Sequence, residues 1–573
     1  MNKDLHKTVV IVTSDVTCDF VYRKLSDESK KVIFPGMAVI IDEKENVIGV
    51  VTDGDFRRAY SKNIDFGGPI SEVMNADPLS MNSDDFFQGN YEQYLRWQSK
   101  YQKKASNCLL LDARGALVDV IISSEIDKKI LESKTITTIY GMGFVGLTLA
   151  AHISSRGQFV IGLDRLTDLI SALNEADTKT VHEPGLPQLI SDGLANDTLT
   201  FENVSKAKSA NFHIIAVGTP IDNNGVADLS ALEDVTAIIG KTLRQGDHVM
   251  LRSTVPAGTT RKHVIPMLEK LSGLEVGADF HVTFAPERTS EGAALAELRS
   301  LPQVIGSATA KCSEKASRYW TSLNNSVIIA SSLEEAELVK LANNTFRDVS
   351  FAFANELALL ADKFNVNAFS LIAAANEGYT RNNIALPSPG VGGYCLNKDP
   401  LLYHYSHNLE QGAYSFGQLS REVNENIKKY PINVLMKYAD YTQKNASKMK
   451  VLLVGMAFKG YPETTDLRGS ISVDLLHEIR DLVEEVSIFD WVIPTKELKN
   501  IHPNTSSAKD LDLSKYDAIF FMNNHESNVK IEPMLLKNRS CLVFDGWGQL
   551  NKEYIEKNSK VSYSSMGYIS FAK

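Results

Sequence analysis

Residues Pro389–Pro400 read P-G-V-G-G-Y-C-L-N-K-D-P, and this one loop gathers the groups that covalent catalysis needs. Cys395 is the candidate nucleophile. Gly392 and Gly393, just before it, leave room for a substrate to approach the backbone closely. Lys398 and Asp399 follow. A cation near a thiol favours the nucleophilic thiolate, and a carboxylate beside it positions water or takes a proton. A lone cysteine in a turn is more often a buried structural residue. Glycines, lysine and aspartate crowded into so short a loop favour the functional reading.

A second set of polar groups precedes the loop. Ser332-Leu-Glu-Glu335 is a capping box that opens a helical pattern running toward Lys363. Along it Lys340, Asn344 and Arg347 recur at i, i+4 and i+7, a single polar stripe on an otherwise apolar helix. A lysine and an asparagine on one stripe can donate to a developing oxyanion.

Upstream, the predicted strand Lys134–Tyr140 runs into G-M-G-F-V-G, which comprises Gly141, Gly143, Phe144, Val145 and Gly146, and then into a helical stretch. A G-x-G-x-x-G turn between strand and helix brings the backbone up to a pyrophosphate at the helix N-terminus. A second strand, Phe159–Leu163, ends at Asp164, where an acidic side chain suits a ribose 2′-hydroxyl and repels a 2′-phosphate, which favours NAD over NADP. Further apolar runs end in V-G-T-P (Val217–Pro220, with Thr219), R-S-T-V-P (from Arg252, with Thr254) and F-A-P-E-R (Phe284–Arg288, with Glu287), after H-E-P-G-L at His182–Leu186. Ligands of doubly wound sheets bind at such strand ends. A later strand, Lys450–Val454, ends in G-M-A-F-K-G, with T-T-D-L-R-G-S beyond it. Lys459 and Arg468 after a glycine turn suit a diphosphate, and Phe458 would line the same pocket.

The order of these motifs along about 134–573 resembles the UDP-glucose/GDP-mannose dehydrogenase family, the nucleotide-sugar 6-dehydrogenases. The resemblance implies two Rossmann-like, doubly wound α/β domains, at 134–330 for NAD and 446–573 for the UDP-sugar, joined by a central helical dimerisation domain at 331–445. It implies a four-electron oxidation of a sugar C6 alcohol to a carboxylate through a thiohemiacetal and a thioester on Cys395. Lys340 and Asn344 fall on the family's catalytic pair. Asp399, Thr254 and Glu287 would serve the hydrolytic water, and Thr219 the cofactor. Gly392, Phe458, Lys459, Arg468 and Arg347 would serve the substrate, and Arg381 would reach a neighbouring subunit's sugar site. F-R-D-V…F-A-N-E (Phe346–Glu356, with Arg347) and Asp399-Pro400 tilt the sugar toward UDP-GlcNAc or UDP-ManNAc, whose products feed surface polysaccharides. Arg252 stands where relatives often have Glu, Asn397 where many have Pro, and Trp547-Gly548 where Arg-Asn is usual. Three alternatives stay open: a two-electron dehydrogenase of the β-hydroxyacid type, a UDP-glucose or GDP-mannose substrate, and a non-enzymatic nucleotide sensor.

The N-terminal stretch, about 1–130, reads as an α+β module with strands at Thr8–Thr13, Met37–Ile41 and Val47–Val51. Its G-V-V-T-D-G-D, with Thr52 and Asp55, resembles a CBS domain pair. In that family these two residues contact a ribose, which implies an adenine nucleotide as ligand. The second repeat, Asn107–Ile126, keeps the strand pair without the T-x-x-D, after an aromatic insertion at Gln88–Lys104.

Composition narrows the rest. A net charge of −10 and the absence of a Lys/Arg run among aromatics argue against nucleic-acid binding. Five widely spaced cysteines without C-x-x-C argue against a disulfide framework or a zinc site. A charged N-terminus and the lack of a long apolar run argue against a signal peptide or membrane span, so a cytoplasmic location is expected.

Overall fold

Two short sheets of the same design carry the N-terminal residues. β1 (Val10–Thr13), β2 (Met37–Ile41) and β3 (Val47–Thr52) form the first; β4 (Ser80–Asn82), β5 (Asn107–Leu111) and β6 (Leu117–Ile122) form the second. In each, the first strand runs parallel to the second and the second antiparallel to the third. The register slips at Ile40/Ile41 in one and at Leu110/Leu111 in the other. The hairpin turns match as well. Asp42 Oδ1 accepts from the amides of Lys44 and Asn46 at 2.8 Å, and Asp112 Oδ1 from those of Arg114 and Ala116 at 2.8 and 2.9 Å. The turns meet where Val47 N donates to Gly115 O at 2.9 Å. Both halves feed one core of Val9, Ile11, Val39, Leu109 and Val120, because a three-stranded sheet with apolar residues on both faces must cover both. β1 starts two residues later than expected, since Leu5–Thr8 closes a helical turn instead.

The computed structural model describes residues 5–88, 91, 93–94, 97, 106–126, 135–178, 181–222, 226–324, 326–407, 413–535 and 540–572. Most of the aromatic insertion and the junction at 127–134 lie outside the described residues. The chain forms two units, residues 1–135 with 318–323, and 136–317 with 324–573.

The second unit holds two larger sheets. In the first, β7 (Ile136–Tyr140), β8 (Phe159–Asp164), β9 (Leu199–Asn203), β10 (Phe212–Ile215), β11 (His248–Leu251), β12 (His281–Phe284), β13 (Gln303–Ser307) and β14 (Val327–Ile329) take the order β14-β13-β12-β11-β10-β7-β8-β9. Only the β12–β13 pair is antiparallel. Winding reverses at β7, so the crevice beyond its C-terminal end is the switch point where ligands of such sheets bind. The second sheet, of β15 (Lys450–Val454), β16 (Glu485–Phe489), β17 (Ala518–Phe521), β18 (Cys541–Asp545), β19 (Val561–Ser565) and β20 (Tyr568–Ile569), has the order β16-β15-β17-β18-β19-β20 and reverses at β15.

Between the sheets runs a helix of 31 residues, Leu333–Lys363. Ser332 caps it by accepting from Glu335 N at 3.1 Å. The expected capping box is half formed: the Glu335 carboxylate accepts from Ser331 N, not from Ser332 N. Among the described residues no helix is long and apolar enough to cross a membrane.

At the opposite, N-terminal end of the first sheet, His248 and His281 pair across β11 and β12. His248 Nε2 lies 2.8 Å from Thr283 Oγ1, and His281 Nδ1 lies 3.5 Å from Cys312 Sγ. Burial pushes both imidazoles down, His281 to about 4, with Lys315 adding to the effect. Both are neutral when folded, while an unfolded histidine protonates near pH ~6.5. Their contribution is therefore fully present above that pH and is lost as pH falls toward 4. We predict that urea midpoints drop between pH 7.5 and 5, with His281 alone accounting for on the order of 2 kcal/mol, and that His281→Gln flattens part of this slope; a flat wild-type profile would contradict the assignment.

Candidate active site

The glycine turn after β7 has the shape a dinucleotide needs. Gly141 adopts φ +96°, and a Cβ there would stand 2.8 Å from Ala216 O. A Cβ on Gly146 would stand 1.8 Å from Gly141 O, so only glycine lets helix and strand approach this closely. Gly143, the N-cap of the Phe144–Ser154 helix, faces open space, and Phe144 and Val145 form the first helical turn, half-buried. Asp164 closes β8 beside this turn, its Oδ2 accepting from Met142 N at 2.8 Å and its Oδ1 from Leu166 N at 3.0 Å. A bare backbone cradle with an acidic residue at its side fits a dinucleotide.

Cys395 is the second residue of the helix Tyr394–Ser406 and is solvent-exposed. The glycines before it serve a different purpose from the one expected. Gly393, at φ +90°, would place a Cβ 2.8 Å from the Phe458 ring, and Gly392 would place one 2.7 Å from Gly469 O. They let the cysteine loop seat against the turn after β15. That contact brings Phe458 against the loop and the Arg468 charge within reach of the thiol. Arg468 lies 5.5 Å from the centre of the Tyr394 ring while its guanidinium forks onto Asp466.

Behind the thiol lies a buried chain of polar contacts. Asn344 Nδ2 donates to Asp399 Oδ2 at 2.6 Å, and Lys398 Nζ donates to Asp399 Oδ1 at 2.8 Å. Lys398 Nζ also lies 3.4 Å from Thr219 Oγ1, which donates to the Thr254 carbonyl at 2.5 Å. Five of the expected residues, Asn344, Asp399, Cys395, Thr219 and Thr254, are thus gathered around Lys398. The thiolate expectation is corrected. The residue reaches solvent, yet the protein packed around it withdraws the sulfur from much of its water; that desolvation, with the Asp399 carboxylate, pushes the Cys395 thiol up, and Lys340, Lys398 and Arg468 do not offset them. Lys398 fails as an activator because Asp399 engages its charge; against the cost of burial, that carboxylate raises the pKa of the ammonium.

Lys340 is buried one helical turn from Asn344, and its charge acts on both Cys395 and Glu287. Glu287 is buried at the end of β12. Its Oε2 accepts from Arg252 Nε at 3.0 Å and from Arg252 Nη2, and its Oε1 from Thr289 N at 2.7 Å. Burial alone would raise its pKa, but Arg252 and Thr289 outweigh it and hold the carboxyl below its usual range. Arg347 is exposed and its charge reaches Lys459. Arg381 is exposed too, beside the Tyr379 ring. Lys459 Nζ donates to Ser290 Oγ at 3.0 Å and to Glu291 O at 2.6 Å. Among the described residues no cluster of His, Cys, Asp and Glu could hold a metal ion.

Three domains of one family match in chain order: the UDP-glucose/GDP-mannose dehydrogenase NAD binding domain over 135–324, the central domain over 334–426 and the UDP binding domain over 452–552. The chain belongs to the UDP-glucose/GDP-mannose dehydrogenase family. It is an NAD-dependent UDP-sugar dehydrogenase, an oxidoreductase. It is 34% identical to the UDP-N-acetyl-D-mannosamine dehydrogenase of Pyrococcus horikoshii over 61% of this chain and 82% of that one. To the enzyme of the same name from Campylobacter jejuni it is 31% identical over 69% and 96%. The solved structure of the UDP-D-ManNAc dehydrogenase from Pyrococcus horikoshii superposes with a TM-score of 0.66 and 29% identity, covering 75% of this chain and 99% of that one.

Within this family frame, residue reasoning missed Lys398 as the hub, Arg252 as the partner of Glu287, and a brace behind the loop. In that brace Asp348 accepts from Arg421 at 2.7 Å and from Asn424 at 2.9 Å, Asn424 accepts from Asn355 at 2.9 Å, and Asn355 accepts from Ser388 N at 2.8 Å. The one signal was the pairing of an unusual arginine at 252 with a glutamate on the next strand end. The thiol's environment makes a prediction: iodoacetamide will modify Cys395 slowly at pH 7 and faster as pH rises. Asp399→Asn will speed it several-fold at pH 7 by removing the opposing charge; equal or slower modification, read by peptide mass spectrometry, would contradict this.

Proposed function

We propose that this enzyme oxidises the C6 hydroxyl of a UDP-N-acetylhexosamine, UDP-ManNAc or UDP-GlcNAc, to the uronic acid through covalent intermediates on Cys395. One observation carries the reading: an accessible thiol stands against the Phe458–Arg468 segment and is backed by Asn344, Asp399 and Lys398, which reach Thr219 at the nucleotide-binding edge. A two-electron dehydrogenase has no use for that thiol. The resemblance to UDP-N-acetyl-D-mannosamine dehydrogenases favours an N-acetylated sugar over UDP-glucose or GDP-mannose.

Gly141, Gly143, Phe144, Val145, Gly146, Asp164 and Thr219 would hold NAD, which when bound supplies the hydride acceptor for both oxidations. Phe458, Lys459, Arg468 and Arg347 would hold the UDP moiety. The alcohol loses a hydride and a proton to give the aldehyde. The Cys395 sulfur adds to the aldehyde carbon, and Lys340 and Asn344 steady the resulting oxyanion. Losing one such donor costs about 100-fold or more in rate. Loss of a second hydride leaves a thioester. Water placed by Thr254 and Asp399 cleaves the carbon–sulfur bond, releasing the carboxylate and returning the thiol. Glu287, ionised and gripped by Arg252, orients rather than shuttles.

The assembly we propose is a homodimer or a higher homo-oligomer. Phe346, Phe353, Leu360 and Phe364 are exposed at 74, 56, 50 and 72% on one stripe of the long helix, a seam that a second copy would cover, with Arg381 reaching across. The paired N-terminal repeats suit a regulatory CBS pair with one nucleotide site. Thr52 and Asp55, joined at 2.7 Å, flank the start of a helix, while Ile122 takes the place of Thr52 in the second sheet. Five cysteines that form no disulfide fit a reducing, cytoplasmic setting, and the product suits surface-polysaccharide synthesis.

We expect two NADH per sugar on an N-acetylated substrate and at least a 10³-fold loss of the full reaction in Cys395→Ala; one NADH per sugar in wild type would overturn the thioester steps. Phe353→Glu is expected to yield monomers by light scattering, with turnover reduced; an unchanged mass would contradict the proposed seam.

A further inference from the structure

The two cations assigned to the diphosphate, Lys459 and Arg468, are already committed within the protein. Lys459 is held by Ser290 Oγ and the Glu291 carbonyl. Arg468 is held in a fork by Asp466, with both carboxylate oxygens engaged. The Glu291 side chain faces this pair from the loop after β12. Its Oε1 accepts from Thr464 Oγ1 at 2.9 Å, and Thr464 Oγ1 also accepts from Asp466 N at 3.1 Å. Thr464 thereby lashes the glutamate to the segment that carries the arginine.

The charges facing Glu291 come from every side. From the turn after β15 come Lys459, Asp466 and Arg468. Around Lys459 lie Glu183, Glu297 and, from the long helix, Arg347. The Glu463–His525 pair, at 2.9 Å, lies beside the next residue, since a Cβ on Gly292 would stand 2.4 Å from Glu463 O. Glu183 is itself tied down by Gly292 N and Leu295 N. Burial and Asp466 push the Glu291 carboxyl up to about 7, against the pull of Thr464, Arg468 and Lys459. A substrate diphosphate brings two more negative charges to a site whose cations already face nearby carboxylates.

We infer that Glu291 takes up a proton when the UDP-sugar binds, so that substrate binding is coupled to one proton and weakens as the solution becomes alkaline. This rests on the reading of Lys459 and Arg468 as the diphosphate site. The sign follows from linkage: a bound anion raises the glutamate's proton affinity, so binding is full at low pH and is lost as pH rises through the free enzyme's value.

The test is calorimetric titration of UDP-N-acetylmannosamine into the full-length enzyme without NAD, at pH 6.5, 7.5 and 8.5, in buffers of different ionisation enthalpy. Its diphosphate diester does not itself titrate in this range. We expect uptake of a large fraction of one proton at pH 7.5 and above, and a Kd that rises toward tenfold per pH unit above 7. Glu291→Gln keeps the acceptor for Thr464 and should bind with no proton uptake and a Kd that is flat with pH. Binding of wild type without proton uptake, or uptake unchanged in Glu291→Gln, overturns the inference alone. Failure of wild type to bind this sugar, UDP-GlcNAc or UDP-glucose overturns the UDP-sugar site and the inference with it.

Discussion

Asp399 has no solvent exposure, and an ionised carboxylate so placed costs several kcal/mol unless it is paired and hydrogen-bonded. Asn344 and Lys398 supply those partners, and much of the site's geometry follows. Asn344 must sit on the inward stripe of the long helix, one turn from Lys340. Lys398 must lie on the cysteine helix, three residues past the thiol. Its ammonium then reaches Thr219, and Thr219 reaches Thr254. One buried charge thus ties the central helices to the strand ends of the first sheet. Removing Asp399 would leave the Lys398 ammonium buried without its carboxylate, and removing Lys398 would leave Asp399 buried with Asn344 as its remaining side-chain partner.

The same pair sets the thiol's chemistry. A cation near a cysteine ordinarily lowers its pKa, but here the carboxylate between them engages the nearest ammonium and opposes the thiolate directly. In the proposed mechanism the thiol acts as a nucleophile only on an aldehyde held against it, an intermediate of the enzyme's own making.

Much of this was legible in the sequence where chemistry and backbone geometry coincide. The G-x-G-x-x-G turn is readable because Gly146 tolerates no Cβ. The long helix is readable because Ser332 caps it and its polar stripe keeps helical period. The cluster of reactive groups in the cysteine loop was readable, but the reason for its glycines was not: Gly393 makes room for Phe458, a residue 65 positions away. The charge balance at Cys395 was hidden for the same cause. Adjacent letters show Lys398 and Asp399 without showing that they face each other. Arg252 looked like an unexplained departure until β11 and β12 were placed side by side, which brings it onto Glu287. The repeat in the N-terminal unit is legible in its hairpin turns, where Asp42 and Asp112 do the same work, although Ile122 stands where the first sheet has Thr52.

The most direct test of the account is to trap the acyl-enzyme. Thr254→Ala, expected to slow hydrolysis while leaving the thiol and both oxidations in place, would be mixed with NAD and the preferred UDP-N-acetylhexosamine, quenched in acid and weighed intact. The expected mass increase is that of the sugar nucleotide less four hydrogens, three from the C6 carbinol and one from the thiol. That mass should map to the Cys395 peptide and be released by hydroxylamine. NADH formed in a stoichiometric burst with no adduct on Cys395 would contradict it.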